Sequence, residues 1–104
     1  MDSHSLAEQV SALASRVNNL SAYHTGDDSW ILMKLQERLS TDAMTAIKLK
    51  LDASADAYKA ALAGLKSAID YIREATGQIA DVSMAIDLAA KAADLVEAVL
   101  KKFA

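Results

Sequence analysis

The chain contains no cysteine, which excludes both a disulfide framework and a thiolate metal site. It contains no proline, where about five per cent is usual, and only three glycines, Gly26, Gly64 and Gly77. With helix breakers so scarce, helices are the expected outcome. Long apolar runs are absent as well: no stretch approaches the ~18 uninterrupted apolar residues of a membrane span. Eleven basic residues are scattered through a chain of net charge −3, so no clustered basic face exists for nucleic acid. Residues 1–10 carry Asp2 and Glu8 without a basic segment, which is not the form of a secretory signal. A cytoplasmic location is expected, with export by a route that reads no cleavable signal as the alternative.

Reactive constellations are equally scarce. The histidines are His4 and His24, and the glutamates are Glu8, Glu37, Glu74 and Glu97. No Glu-x-x-His pair of the kind that builds two-metal bundles occurs, and no glycine-rich phosphate loop is present. Ser11, Ser15 and Ser67 fall on expected helices with no histidine in register, so a serine-centred triad has no support. The expectation is no catalytic residue, no cofactor, no metal ligand and no enzymatic activity. His24, Asp27 and Asp28 offer oxygen and imidazole donors, but without EF-hand spacing they read as a polar turn with a capping aspartate, Trp30 covering the end of the core.

What is present is alanine, roughly a fifth of the residues, which favours helix and lets helix axes approach closely. The residues fall into a single helical domain, 1–104. Ser5 and Glu8 have the spacing of a capping box, and Leu6, Val10, Leu13, Val17 and Leu20 recur at steps of four and three. This predicts a first helix over about 5–23. A break follows at His24 to Asp28, where Gly26 can close one helix and Asp27 or Asp28 can cap the next.

The central stretch carries the longest pattern. Lys34, Arg38, Thr41, Thr45, Lys48, Asp52, Asp56, Lys59, Lys66, Asp70 and Glu74 follow at steps near three and four, with Ala63 filling a gap. That spacing keeps helical phase and predicts one helix over about 28–75, on the order of 70 Å long. Opposite the stripe lie Leu32, Leu35, Leu39, Ala43, Ala46 and Leu49, while Met44, Ile47, Leu51, Tyr58, Leu62, Leu65, Ile69 and Ile72 run along one flank. Asp52-Ala53-Ser54 is a possible cap, and a break near 52 would instead give a compact monomeric up-and-down four-helix bundle. Ala60, Gly64 and Ala68 form a row of small residues; a helical glycine costs about 1 kcal/mol against alanine, so close approach of a second backbone is expected there.

Thr76-Gly77-Gln78 marks the second break, after which the polar positions shift to Asp87, Lys91, Asp94 and Lys101. A last helix is predicted over about 78–103. The expected fold is all-α: an antiparallel bundle built on the long central helix with a shorter helix against each half. Two-helix layers leave wide apolar faces, and such faces mark association surfaces. A homodimer is therefore expected, with Leu51, Tyr58, Leu62, Gly64, Leu65, Ile69, Ile72, Leu95 and Val99 as interface candidates. The function expected is protein–protein contact, as in an adaptor, small chaperone, immunity protein or inhibitor, with self and one other protein as partners. The alternative is a structural or secreted subunit that self-assembles or docks to a secretion apparatus. A weaker alternative is a pocket for an apolar ligand lined by Leu62, Leu65, Ile69 and Ile86.

Overall fold

A computed structural model of the chain describes residues 3–75 and 82–104, with side chains from Ser5 to Glu74 and from Val82 onward. It contains four helices of similar length: α1 (Ser3–Ser21), α2 (Gly26–Lys48), α3 (Asp56–Ala75) and α4 (Val82–Phe103). The turn predicted at 76–78 lies outside the described residues.

In α1 the predicted seam is the buried one: Leu6, Val10, Leu13, Val17 and Leu20 are all in the core. The helix begins two residues before Ser5, so the Ser5–Glu8 pair lies inside the first turns and does not open the helix. Its end tightens into bonds of three-residue spacing, in which the amides of Ala22, Tyr23 and His24 donate to the carbonyls of Asn19, Leu20 and Ser21. Gly26 holds φ at +70°, a left-handed conformation that side chains resist. It stands at the start of α2 after an extended Thr25, not at the close of α1. Neither aspartate is the cap: Asp27 and Asp28 occupy the first turn of α2, where the positive end of the helix dipole favours them. Trp30 does not cover the core end either; it is 61% exposed.

The predicted single helix over 28–75 is interrupted at residues 49–55, and the compact four-helix alternative is the observed fold. Leu49 is extended, with φ −99° and ψ 153°. Asp52 then turns the chain, its Oδ1 accepting from the Ser54 amide at 2.9 Å and from the Ser54 hydroxyl at 2.6 Å. Such local side-chain bonds compete with the helical ladder, and they do so here without glycine or proline. The Ala55 amide closes the turn on the Asp52 carbonyl at 3.1 Å, and Lys59 donates to Ala55 to start α3. Leu51, between them, is buried, so an apolar side chain that a continuous helix would leave on its flank is drawn inside.

The polar stripe stays in phase across this reversal because each helix needs only its own polar residues to face water. Phase across the break was fortuitous. The longest dimension of the molecule is 38 Å, about half of what a forty-eight-residue helix would need at 1.5 Å per residue.

Packing joins α1 to α2 and α3 to α4 as antiparallel hairpins, and joins the hairpins through α1 on α3 and α2 on α4. Among the described residues α2 and α3 share no contact, so these chain neighbours lie diagonally across the bundle and residues 49–55 cross its end. The faces expected to need a second chain cover one another within this one. Tyr58, Leu65, Ile72 and Val99 are essentially inaccessible, each large apolar side chain contributing on the order of 1.5–3 kcal/mol by leaving water.

Between α3 and α4 the small-residue row behaves as expected. A Cβ placed on Gly64 would lie 3.7 Å from the Ala92 Cα and 2.8 Å from a methyl of Leu95. Ala85, Ala89, Ala92 and Ala93 on α4 are buried, so α4 meets its neighbours along an alanine surface. Among the described residues no helix is long and apolar enough to cross a membrane.

Candidate functional site

One helix has two working flanks. α2 turns Leu32, Leu35, Leu39, Ala43 and Ala46 into the core. About 120° away around the same helix, at 100° per residue, stand Met33, Met44 and Ile47, exposed by 50, 63 and 57%. Trp30, and Ile31 on the side of Arg38, are exposed as well, so that five of the eight large apolar side chains exposed among the described residues belong to α2. The Lys34 ammonium sits 5.5 Å from the centre of the Trp30 ring, close enough for a cation–π contact.

The neighbouring face of α1 is built from small residues. Ser11, Ala14 and Ser15 on α1, with Gln36, Ser40, Ala43, Met44 and Ile47 on α2, line one shallow groove. It continues past Ala7 and Ala12, again against Ile47. A floor of serine and alanine between thioether and isoleucine walls is suited to receiving side chains from another helix. It holds no nucleophile with a base beside it, and among the described residues no group of three histidine, aspartate or glutamate side chains converges as a metal site.

The opposite flank of α2 faces α4 and is ionic. The Arg38 guanidinium donates through Nε and Nη2 to the two carboxylate oxygens of Glu97, both at 2.7 Å, and through Nη2 to Asp94 at 2.5 Å. Such two-pronged geometry is the strong form of a charge-assisted bond. Asp42 lies one turn further along and is 7% exposed. Burial pushes its carboxyl up to about 7, with hydrogen bonding to Glu97 adding to the effect, whereas the bond from Arg38 holds Glu97 below the usual carboxylate range. Arg38 itself is raised above its ordinary value by its bonds to Glu97 and Asp94.

The interface candidates sit elsewhere. Leu51, Tyr58, Leu65, Ile72 and Val99 are core residues, Leu62 and Ile69 are half-buried against that core, Gly64 faces α4, and Leu95 is 37% exposed above it. The cavity suggested by Leu62, Leu65, Ile69 and Ile86 does not form as a unit. Leu65 is fully buried, while Leu62 and Ile69 border an open, polar-rimmed recess with Ser5, Gln9, Lys66, Asp70 and Arg73. Glu97 pairs with Arg38 across the helices.

Sequence reasoning missed both flanks of α2 for one reason. On a continuous helix Met44 and Ile47 align with Tyr58 and Leu62, so they read as part of one buried flank. Once the chain reverses, α3 takes its share of that flank inward and α2 leaves its share outside. Asp42 had a signal: it stands one position to the core side of Thr41, off the polar stripe.

The molecule is thus a small all-α domain, a four-helix bundle without catalytic or cofactor motifs. Compared with protein-family models, with characterised proteins and with solved structures, the chain matches none.

Proposed function

We propose that this protein is non-enzymatic and works through protein–protein contact, with the methionine-bearing outer face of α2 and the small-residue face of α1 as the contact surface. The observation that carries the reading is the number of exposed large apolar side chains, Trp30, Met33, Met44 and Ile47, on a helix that already gives another face to the core. Single exposed apolar residues are ordinary, but several on one helix mark an interaction surface. Tryptophan and methionine are also the side chains enriched where proteins meet.

A second copy is the partner we propose first. Positions on this face are spaced symmetrically about Ser40, with exposed Met33 and Ile47 seven residues to either side and half-buried Gln36 and exposed Met44 four. An antiparallel pair of α2 helices about a twofold axis at Ser40 would set Met33 of one copy against Ile47 of the other and Met44 against Gln36, as a self-complementary contact requires. A self-assembling structural subunit would use the same surface but add copies without closing.

Sedimentation velocity over a roughly hundredfold concentration range tests this by mass action. The wild-type chain is expected to move from 11.1 kDa towards twice that mass, and Met44→Glu with Ile47→Glu to remain monomeric with unchanged helicity. Mass that keeps rising favours the assembling subunit. A wild-type chain that stays monomeric throughout overturns self-association.

A further inference from the structure

The ionic flank of α2 has a feature that ion pairing alone does not account for. Among the described residues, the ion pairs that join one helix to another are those of Arg38 with Asp94 and Glu97. Around that single guanidinium stand three carboxylates, since Asp42 is beside Glu97 as well. Lys34 and Glu37 border the same shallow pocket but are paired with each other at 3.9 Å. On α1, the other helix packed on α2, the charged side chains among the described residues lie at other recesses: Glu8 beside Ile47 and Arg16 beside Ile72.

Asp42 is the exception within the cluster. Its Oδ2 is buried and receives no N–H or O–H donor, and the side chain lines the same pocket as Arg38 and Glu97. Two carboxylates in one pocket, one of them more than nine-tenths buried, cannot both be ionised without cost. One proton held between them satisfies both, since a protonated carboxyl is a donor and an ionised one an acceptor. Arg38 decides where the proton resides: its two bonds favour the ionised form on Glu97, which leaves the proton on Asp42.

We propose that the α2–α4 seam is a proton-operated latch, in which one proton shared by Asp42 and Glu97 beneath Arg38 holds α2 on α4 and its loss loosens the seam. With the proton the cluster carries one guanidinium against two carboxylate charges; without it a third, buried charge faces Glu97. The direction follows from linkage. Asp42 is raised to about 7, so its contribution is complete below the unfolded carboxylate value of roughly 3.9 and is lost as pH rises through about 7. Glu97 is lowered, so its contribution is present above its unfolded value and lost as pH falls below that. The latch is closed between these limits and opens on the alkaline side of neutrality.

The test compares the wild-type chain with Asp42→Asn, whose amide donates to Glu97 at every pH. Thermal melts between about pH 5.5 and about pH 8.5 should lower the wild-type Tm by ~5 °C or more, while Asp42→Asn loses less than half as much and melts above wild type at the alkaline end. The two proteins differ at residue 42 alone, so the contributions of groups outside the cluster cancel in the comparison. Carboxyl-carbon NMR of the wild-type chain reads the same group directly and does not depend on the variant folding. A midpoint for Asp42 near neutrality supports the latch. Parallel melting curves for the two proteins, or an Asp42 midpoint in the ordinary carboxylate range, overturn it.

Discussion

Gly64 faces α4 at a point where the two backbones are nearly in contact, and the size of the group placed there decides the outcome. An alanine Cβ would come within 2.8 Å of a Leu95 methyl, but that methyl is the tip of a side chain 37% exposed and can rotate away. Helix propensity favours the change by about 1 kcal/mol, so Gly64→Ala should leave stability within ~1 kcal/mol of wild type. Gly64→Leu has no such escape, because the Ala92 backbone lies behind Leu95 at 3.7 Å. Overpacking of that kind costs about 1–3 kcal/mol. Urea unfolding of both variants, with the slope checked for constancy, gives the two values. This contact was legible in the sequence as the Ala60–Gly64–Ala68 row; its partner was not, since spacing along one helix does not say which other helix approaches.

At the scale of the element, residues 49–55 show where reading by periodicity stops. A hydrophobic pattern reports which side of a helix is wet, and both α2 and α3 have such a side. It does not report that the chain has reversed between them. The reversal is written in the short-range chemistry of Asp52 and Ser54, which resembles that of many solvent-exposed helical residues until Leu51 is seen to be buried. The four-residue steps of α1 and the alanine-rich surface of α4 were legible because each is local to one helix. Asp52 also supplies a measurement. Its carboxyl is held below the usual range by the hydroxyl and amide of Ser54, so its contribution is present above the unfolded carboxylate value and lost as pH falls through the depressed one. Asp52→Ala should therefore melt below wild type near neutrality, with the difference shrinking as pH falls towards about 3.

At the scale of the whole molecule, α2 belongs to three relationships at once: core through Leu32, Leu35 and Leu39, ionic seam through Arg38, and outer surface through Met33, Met44 and Ile47. Any loosening of the seam changes the footing of the surface. Self-association through α2 and the protonation of Asp42 are accordingly expected to be coupled. Sedimentation of the wild-type chain at about pH 6 and at about pH 8.5 should give different association constants, and Asp42→Asn should reduce that difference. Equal pH dependence in the two proteins would show that seam and surface act independently.

The diagonal crossing has a further consequence. The bundle consists of two hairpins, α1–α2 and α3–α4, tethered by residues 49–55 alone. Seven residues reach about 24 Å when extended, ample for a diagonal of roughly 14 Å between helix axes set 8–10 Å apart. Removing residues 50–53 leaves three, whose four steps between the helix ends reach about 14 Å only when fully extended, so closing the hairpins of one chain on each other strains the tether. Each would find its complement in another molecule, and the product would be a domain-swapped dimer in which Arg38 of one copy binds Glu97 of the other. Its core would be that of the monomer without Leu51, so it should separate only on unfolding. In this fold the length of one short tether decides whether the same set of contacts makes one molecule or joins two.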